Sequence, residues 1–293
     1  MDKKFESKLS NSSLVAVSQA EACDMQGYKN KIVDQIGAAE MVLIGLGEEF
    51  DDLRSCRQIL DYEKKRELLE DSGDSFWIPA YDDFCRKKQG GRIGEALSRL
   101  AELVEDKNYF VVTTSTNDEL RKIPWKEGRF VAPCGGSHKK QCVNRCEEGL
   151  AELSAEENEA VADRMRAFWE LPLQKPDIGE WRQALGLCPN CKTPLVLNNI
   201  YTEFYDEKGY LSDWAEYRKW LQGTMNRRLL VLELGVGMQC PTVIRWPFEK
   251  LVMYNKKAYI YRIHKSLYQL SENLQGKGVS ISENSVDWLQ ILC

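Results

Sequence analysis

Short runs of apolar residues recur along the chain and are separated by stretches with helical spacing. The runs are mostly apolar, which is typical of strands buried on both faces of a sheet. The pattern predicts strands at 41–45, 109–113, 129–132, 229–234 and 258–263. Helical periodicity at 28–39, 97–104 and 212–221 precedes three of these runs. Buried strands separated by helices predict an α/β fold with a Rossmann-like, doubly wound parallel sheet.

Changes in composition along the chain predict a large domain with a small inserted module. We expect a polar N-terminal extension at 1–27, a large Rossmann-like domain at 28–132 and 192–293 with a helical excursion at about 48–90, and a small zinc module with an acidic helical insert at 133–191. The excursion and the insert are rich in acidic residues, as expected of solvated helices.

The charge balance argues against several classes of partner. The net charge is −5, whereas nucleic acids and anionic membranes attract clustered Lys and Arg. No apolar run approaches the roughly 20 residues of a membrane-spanning helix. Residues 1–19 are polar and lack the continuous apolar segment of a secretory signal. We therefore expect a cytoplasmic protein, in which ten cysteines serve metal binding or catalysis more readily than disulfides.

Two closely spaced pairs of cysteines predict a metal site. Cys142 and Cys146 are separated by three residues, and Cys188 and Cys191 by two. Two such pairs supply the four thiolates that zinc prefers in a tetrahedral site. Because four protein ligands leave no open position, this zinc is expected to be structural. The alternative is four separate buried thiols.

A glycine turn after the first predicted strand has two interpretations. Gly45 and Gly47 lie where a Rossmann-type domain binds the pyrophosphate of a dinucleotide. However, the third glycine of that motif is missing, and the acidic residues Glu48, Glu49, Asp51 and Asp52 follow at once. Carboxylates in this turn repel phosphates and are suited to capping the helix themselves. The alternative to a cofactor site is therefore a tight packing turn.

The order of these motifs resembles that of the sirtuins over residues 41–265. The glycine turn is followed by Thr113-Thr114-Ser115-Thr116-Asn117, then Cys134-Gly135, the two cysteine pairs, and Leu232-Glu233-Leu234-Gly235-Val236-Gly237. The chain is most similar to the macrodomain-linked class of sirtuins. That class shares the spacing of the first cysteine pair and a Gly-Val-Gly stretch followed by Pro and by His-Pro-Phe, matched here by Pro241 and by Trp246-Pro247-Phe248.

The resemblance implies an NAD-binding Rossmann domain, a zinc module and a cleft between them for a protein or modified-lysine substrate. Sirtuins pass ADP-ribose from NAD to an acetyl-lysine oxygen, giving deacetylation, or to a protein side chain. The implied cofactor-binding residues are Gly45, Gly47, Thr113, Ser115, Asn117, Gly235 and Gly237.

The chain departs from the family pattern at the positions that perform its chemistry. The loop has Glu48-Glu49 where the family has a serine, and Ser115 and Asn117 replace the Asn and Asp that hold ribose and nicotinamide. Cys134 lies at the position of the family's general base, and Ile263 replaces an Asn that contacts the adenosine ribose. A thiol cannot reproduce the hydrogen bonds of an imidazole or an amide.

Cys134 itself has two interpretations. Its glycine-rich, basic surroundings, with His138 four residues away, favour a lowered thiol pKa and a nucleophile. Alternatively, a small apolar residue fills the space of an ancestral histidine.

Two functions follow from the resemblance and from the departures. The first is a divergent sirtuin-like protein with a weakened NAD site, acting as a pseudoenzyme or as a binder of a different ligand. The alternative is an active NAD-dependent protein ADP-ribosyltransferase or deacylase. The lost contacts favour the first, because a buried polar group left without its partner costs roughly 1–3 kcal/mol.

Overall fold

A computed structural model describes residues 25–90, 93–173, 181 and 183–291. The strands are β1 (Met41–Leu46), β2 (Asn108–Thr113), β3 (Phe130–Val131), β4 (Gly135–Cys142), β5 (Ala151–Glu152), β6 (Leu195–Asn199), β7 (Leu229–Leu234), β8 (Tyr259–Ile263) and β9 (Gly278–Ile281). The α-helices are α1 (Met25–Ala38), α2 (Tyr62–Asp71), α3 (Ile78–Gln89), α4 (Ile93–Val104), α5 (Ala155–Glu170), α6 (Lys208–Gln222), α7 (Arg245–Tyr254) and α8 (Ser285–Ile291). The predicted N-terminal extension lies almost wholly outside the described residues.

The described residues form a parallel six-stranded sheet in the order β3-β2-β1-β7-β8-β9. β1 pairs in register with β2 on one side and with β7 on the other. The predicted α/β, Rossmann-like doubly wound fold is confirmed, and all five strand predictions fall on strands of this sheet. β9 was not predicted, because it is short and half-buried, and its pattern is not continuously apolar.

Alternate residues of β1 face opposite layers of helices. Val42 and Ile44 pack with α1, α4 and α8 on one face of the sheet. Leu43 packs on the other face with α6 and α7, whose Trp220 and Phe248 are buried there. Since both faces are covered, every residue of β1 and β7 is buried, which explains why their sequences are apolar apart from the paired Glu233.

A second, antiparallel sheet of order β5-β4-β6 lies in the region of the cysteine pairs. Its core includes side chains of the acidic excursion: Tyr81 of α3 stacks on Tyr62 of α2 and meets Phe168 of α5 edge to face. The excursion and the cysteine-containing region therefore share one core. The boundaries of the domains stay a prediction.

The strands of the small sheet were not predicted. β4 reads Gly-Gly-Ser-His-Lys-Lys-Gln-Cys, and its polar side chains hide its extended conformation. The predicted acidic helical insert contains helix α5, which begins with a capping box of Ser154 and Glu157. This reciprocal pair of hydrogen bonds satisfies backbone donors at the start of the helix.

A buried ion pair joins β7 and β8 near their carboxyl ends. Glu233 and Arg262 are register partners, and the Arg262 Nε lies 2.7 Å from the Glu233 Oε1. Both side chains are almost fully buried. Burial raises the pKa of Glu233 above its usual range, and the charge of Arg262 opposes that rise. Arg245 lies 3.5 Å from the same carboxylate and also donates to the Val236 carbonyl, so this network supports the loop that follows β7.

Among the described residues, none of the helices has the length and apolar character that a bilayer crossing requires.

We expect Arg262→Met to lower the free energy of unfolding by about 3–5 kcal/mol, because it leaves Glu233 charged and buried beside a weaker partner. The double variant Glu233→Leu/Arg262→Met should lose less, since the buried Glu233 carboxylate is removed together with its partner. Urea unfolding of the three proteins measures both effects. A single variant within 1 kcal/mol of wild type would show that the pair does not stabilise the sheet.

Candidate ligand site at the carboxyl edge of the sheet

The loops that follow β1, β2, β7 and β8 meet at one edge, because these strands are parallel. In open α/β sheets, the ligand crevice lies outside this edge. We call residues 47–52 the β1 loop and residues 235–241 the β7 loop. The cofactor-binding residues expected from the resemblance lie in or beside these segments and after β2.

The predicted glycines are required by close packing. A Cβ on Gly45 would lie 2.7 Å from Ile244 Cγ2 and 2.8 Å from Phe248 Cε2, against the layer that contains α7. A Cβ on Gly47 would collide with the backbone of the β7 loop. Gly235 has a φ of +61°, which favours glycine. These glycines have a structural reason to be present whether or not a phosphate binds.

The carboxylate of Glu48 accepts backbone hydrogen bonds from the β7 loop. The Gly237 N–H lies 2.5 Å from Glu48 Oε2, and the Gln239 N–H lies 3.3 Å from Oε1. Free N–H groups in such a loop bind anions. Here the anion is a side chain of the neighbouring loop.

Glu49 makes the corresponding contacts beyond β8. Its Oε1 accepts from the Lys265 N–H at 3.0 Å, and its Oε2 accepts from the N–H and hydroxyl of Ser285 at 2.7 and 2.8 Å. His264 Nδ1 lies 3.6 Å away and itself accepts two backbone N–H bonds at 2.9 Å. That nitrogen therefore carries no proton, and burial lowers the pKa of His264, so Glu49 faces a neutral imidazole.

Asp51 binds the segment after β2. Its Oδ1 accepts from the Ser115 hydroxyl at 2.7 Å and from the Thr116 N–H at 3.0 Å. Burial raises the pKa of Asp51 to about 6, while the bond from Ser115 opposes the rise. The carboxylate is therefore ionised at neutral pH.

The other two predicted residues of this segment are also engaged within the protein. Thr113 donates from its hydroxyl to the Leu46 carbonyl at 2.9 Å. Asn117 donates from Nδ2 to the Phe50 carbonyl at 2.9 Å and accepts from the Glu119 N–H at 3.0 Å. Both side chains are buried. Together with Asp51, these bonds tie the segment after β2 to the β1 loop.

Cys134 is almost fully buried in the turn between β3 and β4, and its sulfur lies 3.8 Å from that of Cys240 in the β7 loop. The hydrogen bond that Cys134 donates to Cys240, together with burial, raises the pKa of Cys134 well above its usual range. The Cys134 thiol is therefore protonated. Cys240 belongs to no motif, and its only signal in the sequence is that it follows a buried strand.

His138 is engaged with Asp118 rather than with a thiolate. His138 Nδ1 lies 2.8 Å from Asp118 Oδ1, and burial lowers the pKa of His138. Asp118 Oδ2 accepts from the N–H and the hydroxyl of Ser137 at 2.8 and 2.6 Å. No sequence motif marks Asp118, which directly follows the segment after β2.

The four cysteines of the two pairs lie together beside the end of β4. The sulfurs of Cys142, Cys146, Cys188 and Cys191 all lie within 4.8 Å of one another. Tetrahedral coordination with Zn–S bonds of about 2.3 Å requires sulfurs roughly 3.8 Å apart, so the donor set fits a zinc ion. Hydrogen bonds, first from the Thr193 hydroxyl, lower the pKa of Cys191 to about 5, which favours a thiolate.

Two cavities among the described residues lie elsewhere. One of about 560 Å³ is lined by Met41, Asn108 and Trp220, at the amino ends of β1 and β2. The other, of about 240 Å³, lies beside Trp246. Neither is lined by a residue of the candidate site.

No family model matches the chain. A "Protein ADP-ribosyltransferase" of Staphylococcus aureus is 20% identical over 194 residues, which are 66% of this chain and 58% of that protein. A "Probable bifunctional ADP-ribose hydrolase/ADP-ribosyltransferase" of Fusarium oxysporum f. sp. cubense is 27% identical over 146 residues, which are 49% of this chain and 23% of that protein. The chain thus spans 58% and 23% of the lengths of these two relatives.

Among solved structures, one described as the structural basis of sirtuin substrate affinity covers 89% of this chain and 96% of its own, with 14% identity and a TM-score of 0.53. A Sir2 homologue mutant in complex with ADP-ribose matches over 89% of this chain and 94% of its own, with 13% identity and a TM-score of 0.52. Sir2Tm bound to a propionylated peptide covers 89% and 95%, with 11% identity and a TM-score of 0.50. The chain therefore has a sirtuin-like fold.

We expect Asp51→Asn to stabilise the protein at neutral pH by on the order of 2–3 kcal/mol, because the pKa of about 6 lies roughly two units above the ordinary value. Asparagine keeps an oxygen that accepts from Ser115 and Thr116. Since the raised pKa makes the folded state bind the proton more tightly, wild-type stability falls as pH rises from about 4 to about 6 and stays lower above that range.

Urea unfolding of wild type and Asp51→Asn across this pH range measures the difference. Asp106→Asn, at a 77% exposed side chain, is the matched control and should show no such dependence. If the difference in unfolding free energy between wild type and Asp51→Asn stays constant with pH, the pKa of Asp51 is not raised by folding.

Proposed function

We propose that this protein is a divergent sirtuin-like protein whose NAD site is weakened because its own carboxylates occupy the anion-binding positions. In this proposal it acts as a pseudoenzyme or as a binder of a different ligand. The observation that carries the proposal is the pair of hydrogen-bond sets that Glu48 and Glu49 accept from the loops after β7 and β8.

The energetics support this proposal. A hydrogen bond to a charged group contributes roughly 1.5–3 kcal/mol, whereas micromolar binding of a ligand amounts to about 8 kcal/mol. A diphosphate that used the Gly237 and Gln239 N–H groups would have to displace Glu48. It would also remain close to a negatively charged side chain. Displacement and repulsion together offset most of the free energy of a micromolar site.

The remaining family positions support the same function. The side chains of Ser115 and Asn117 form hydrogen bonds with the β1 loop and with local backbone groups. Cys134, at the position of the family's general base, is buried and protonated. A general base must accept a proton from a substrate group within hydrogen-bond reach. A protonated thiol that already donates to Cys240 is poorly suited to that role.

The alternative is an active NAD-dependent protein ADP-ribosyltransferase or deacylase with a protein or modified-lysine substrate. The names of the two relatives favour it, since both include ADP-ribosyltransferase. For this activity, Glu48 and Glu49 would have to rotate away from the backbone donors. Nicotinamide would then need an amide partner other than the tied Ser115 and Asn117.

We further propose that Cys142, Cys146, Cys188 and Cys191 hold a structural zinc ion, and that the chain belongs nearest to the macrodomain-linked class. The fit of the four sulfurs supports zinc. The three-residue spacing of the first pair supports the class. A zinc site with reduced thiolates is consistent with a cytoplasmic setting.

Isothermal titration with NAD and with ADP-ribose tests the main proposal. Wild type should bind both at millimolar level or not at all. Glu48→Ala should bind ADP-ribose at least about tenfold more tightly than wild type, because it frees the Gly237 N–H and removes a negative charge. Glu95→Ala, at a 72% exposed carboxylate on α4, is the control and should match wild type. Micromolar binding by wild type together with nicotinamide release would establish the alternative.

Cys191→Ala should reduce the bound zinc from one equivalent to a fraction of it and lower the melting temperature, since metal binding contributes directly to folding of the small domain. Elemental analysis and thermal unfolding measure the two effects. Cys240→Ala lies outside the cluster and should keep its zinc. Wild-type protein purified without chelators and lacking zinc would refute the metal assignment.

A further inference from the structure

Two thiols meet across the candidate site. The sulfurs of Cys134 and Cys240 lie 3.8 Å apart, although 106 positions separate the two residues in the chain. Cys134 follows β3, and Cys240 lies in the β7 loop. Neither residue belongs to the four-cysteine cluster.

The two cysteines follow strands that are not neighbours in the sheet. β3 and β7 are separated in the sheet by β2 and β1. Three strand spacings amount to roughly 14 Å. The segments that carry the two cysteines must therefore lean toward each other over the carboxyl ends of β2 and β1. A bond between the two sulfurs would cross the mouth of the candidate site.

The backbone on both sides of Cys134 is fixed by hydrogen bonds. The Pro133 carbonyl accepts from the Tyr205 hydroxyl at 2.8 Å, and the Cys134 carbonyl accepts from the Ile200 N–H at 3.0 Å. The added Cβ of any residue at Gly135 would collide with the backbone of Asn198, so the turn lies tightly against β6. These contacts fix the position of the Cys134 backbone relative to Cys240.

Cys240 is the more accessible member of the pair. It is partly exposed in an irregular loop, near Met238, whose exposed fraction is 53%. The hydrogen bond donated by Cys134 lowers the pKa of Cys240, which favours the thiolate that reacts with peroxides. An accessible thiol beside a buried one is the arrangement in which the first is oxidised and the second resolves the product.

We propose that Cys134 and Cys240 are a redox-modification site that takes hydrogen peroxide as its oxidant and closes into a reversible disulfide across the mouth of the candidate site. Peroxide oxidises the Cys240 thiol to a sulfenic acid and leaves as one water. The Cys134 sulfur then attacks the sulfenic sulfur. The S–S bond forms as the S–O bond breaks, and the hydroxyl leaves with the thiol proton as a second water. A dithiol reductant restores both thiols by exchange.

The required movement is small. A disulfide has an S–S length of about 2.05 Å, so the sulfurs approach by less than about 2 Å from their contact distance. Cys240 can supply this movement, since its loop has no regular secondary structure. The proposal does not depend on whether NAD binds at the site.

Peptide mapping tests the pairing directly. The full chain, purified without chelators, is treated with hydrogen peroxide near equimolar ratio, alkylated with N-ethylmaleimide and digested with trypsin. Trypsin releases Cys134 in peptide 130–139 and Cys240 in peptide 229–245, and neither peptide contains another cysteine. We expect linkage of these two peptides to exceed that of any other cysteine pair by at least about tenfold, and dithiothreitol to reverse it.

Two variants separate the roles of the thiols. In Cys134→Ser, Cys240 should accumulate as a sulfenic acid that dimedone traps, because its resolving thiol is absent. In Cys240→Ser, Cys134 should stay reduced, because it is almost fully buried. Cys240→Ser replaces a partly exposed side chain and is the variant least expected to disturb folding.

Thermal unfolding gives a second readout. A bond that closes a long loop restricts the unfolded chain, so peroxide should raise the melting temperature of wild type by about 5 °C or more. Oxidised Cys240→Ser should melt at its reduced temperature. Recovery of both wild-type peptides separately, alkylated or oxidised but unlinked, would overturn the proposal. Preferential linkage of Cys240 to a cysteine of the cluster would overturn it as well.

Discussion

Hydrogen bonds from backbone N–H groups to the carboxylates of the β1 loop hold the carboxyl edge of the sheet together. Glu48 binds the loop after β7, Glu49 binds the segment after β8 and the first residue of α8, and Asp51 binds the segment after β2. A buried backbone donor without a partner is costly. Because one loop supplies the acceptors for three neighbours, these donors are partnered by the protein's own carboxylates.

In this arrangement the glycines at the same edge serve loop packing. Gly47 allows the β1 loop to lie directly against the β7 loop, and that approach brings Glu48 to the Gly237 N–H. In a Rossmann-type domain, the glycines let the turn approach a pyrophosphate closely. In this protein, they let the β1 loop approach the β7 loop instead. A sirtuin-like fold is thus compatible with a site whose electrostatics disfavour a dinucleotide.

The sequence predicted the sheet well, because strands buried on both faces are mostly apolar, as in residues 41–46 and 229–234, where only the paired Glu233 is charged. It did not predict β4, whose polar residues follow no simple period, or the packing of Tyr81 against Phe168, which depends on contacts distant in the chain. In the site, the acidic character of the β1 loop was visible, but the partners of its carboxylates were not. The meeting of Cys134 with Cys240 depends on how two loops cross the sheet, and no local pattern encodes it.

The most direct test of the central claim is a crystal structure of the protein grown with millimolar ADP-ribose, examined at the Gly237 N–H. Our account predicts that Glu48 Oε2 remains the acceptor of this group, at about its present distance of 2.5 Å, with no diphosphate on the β7 loop. A diphosphate oxygen bound to the Gly237 N–H, with Glu48 and Glu49 rotated outward, would contradict the account.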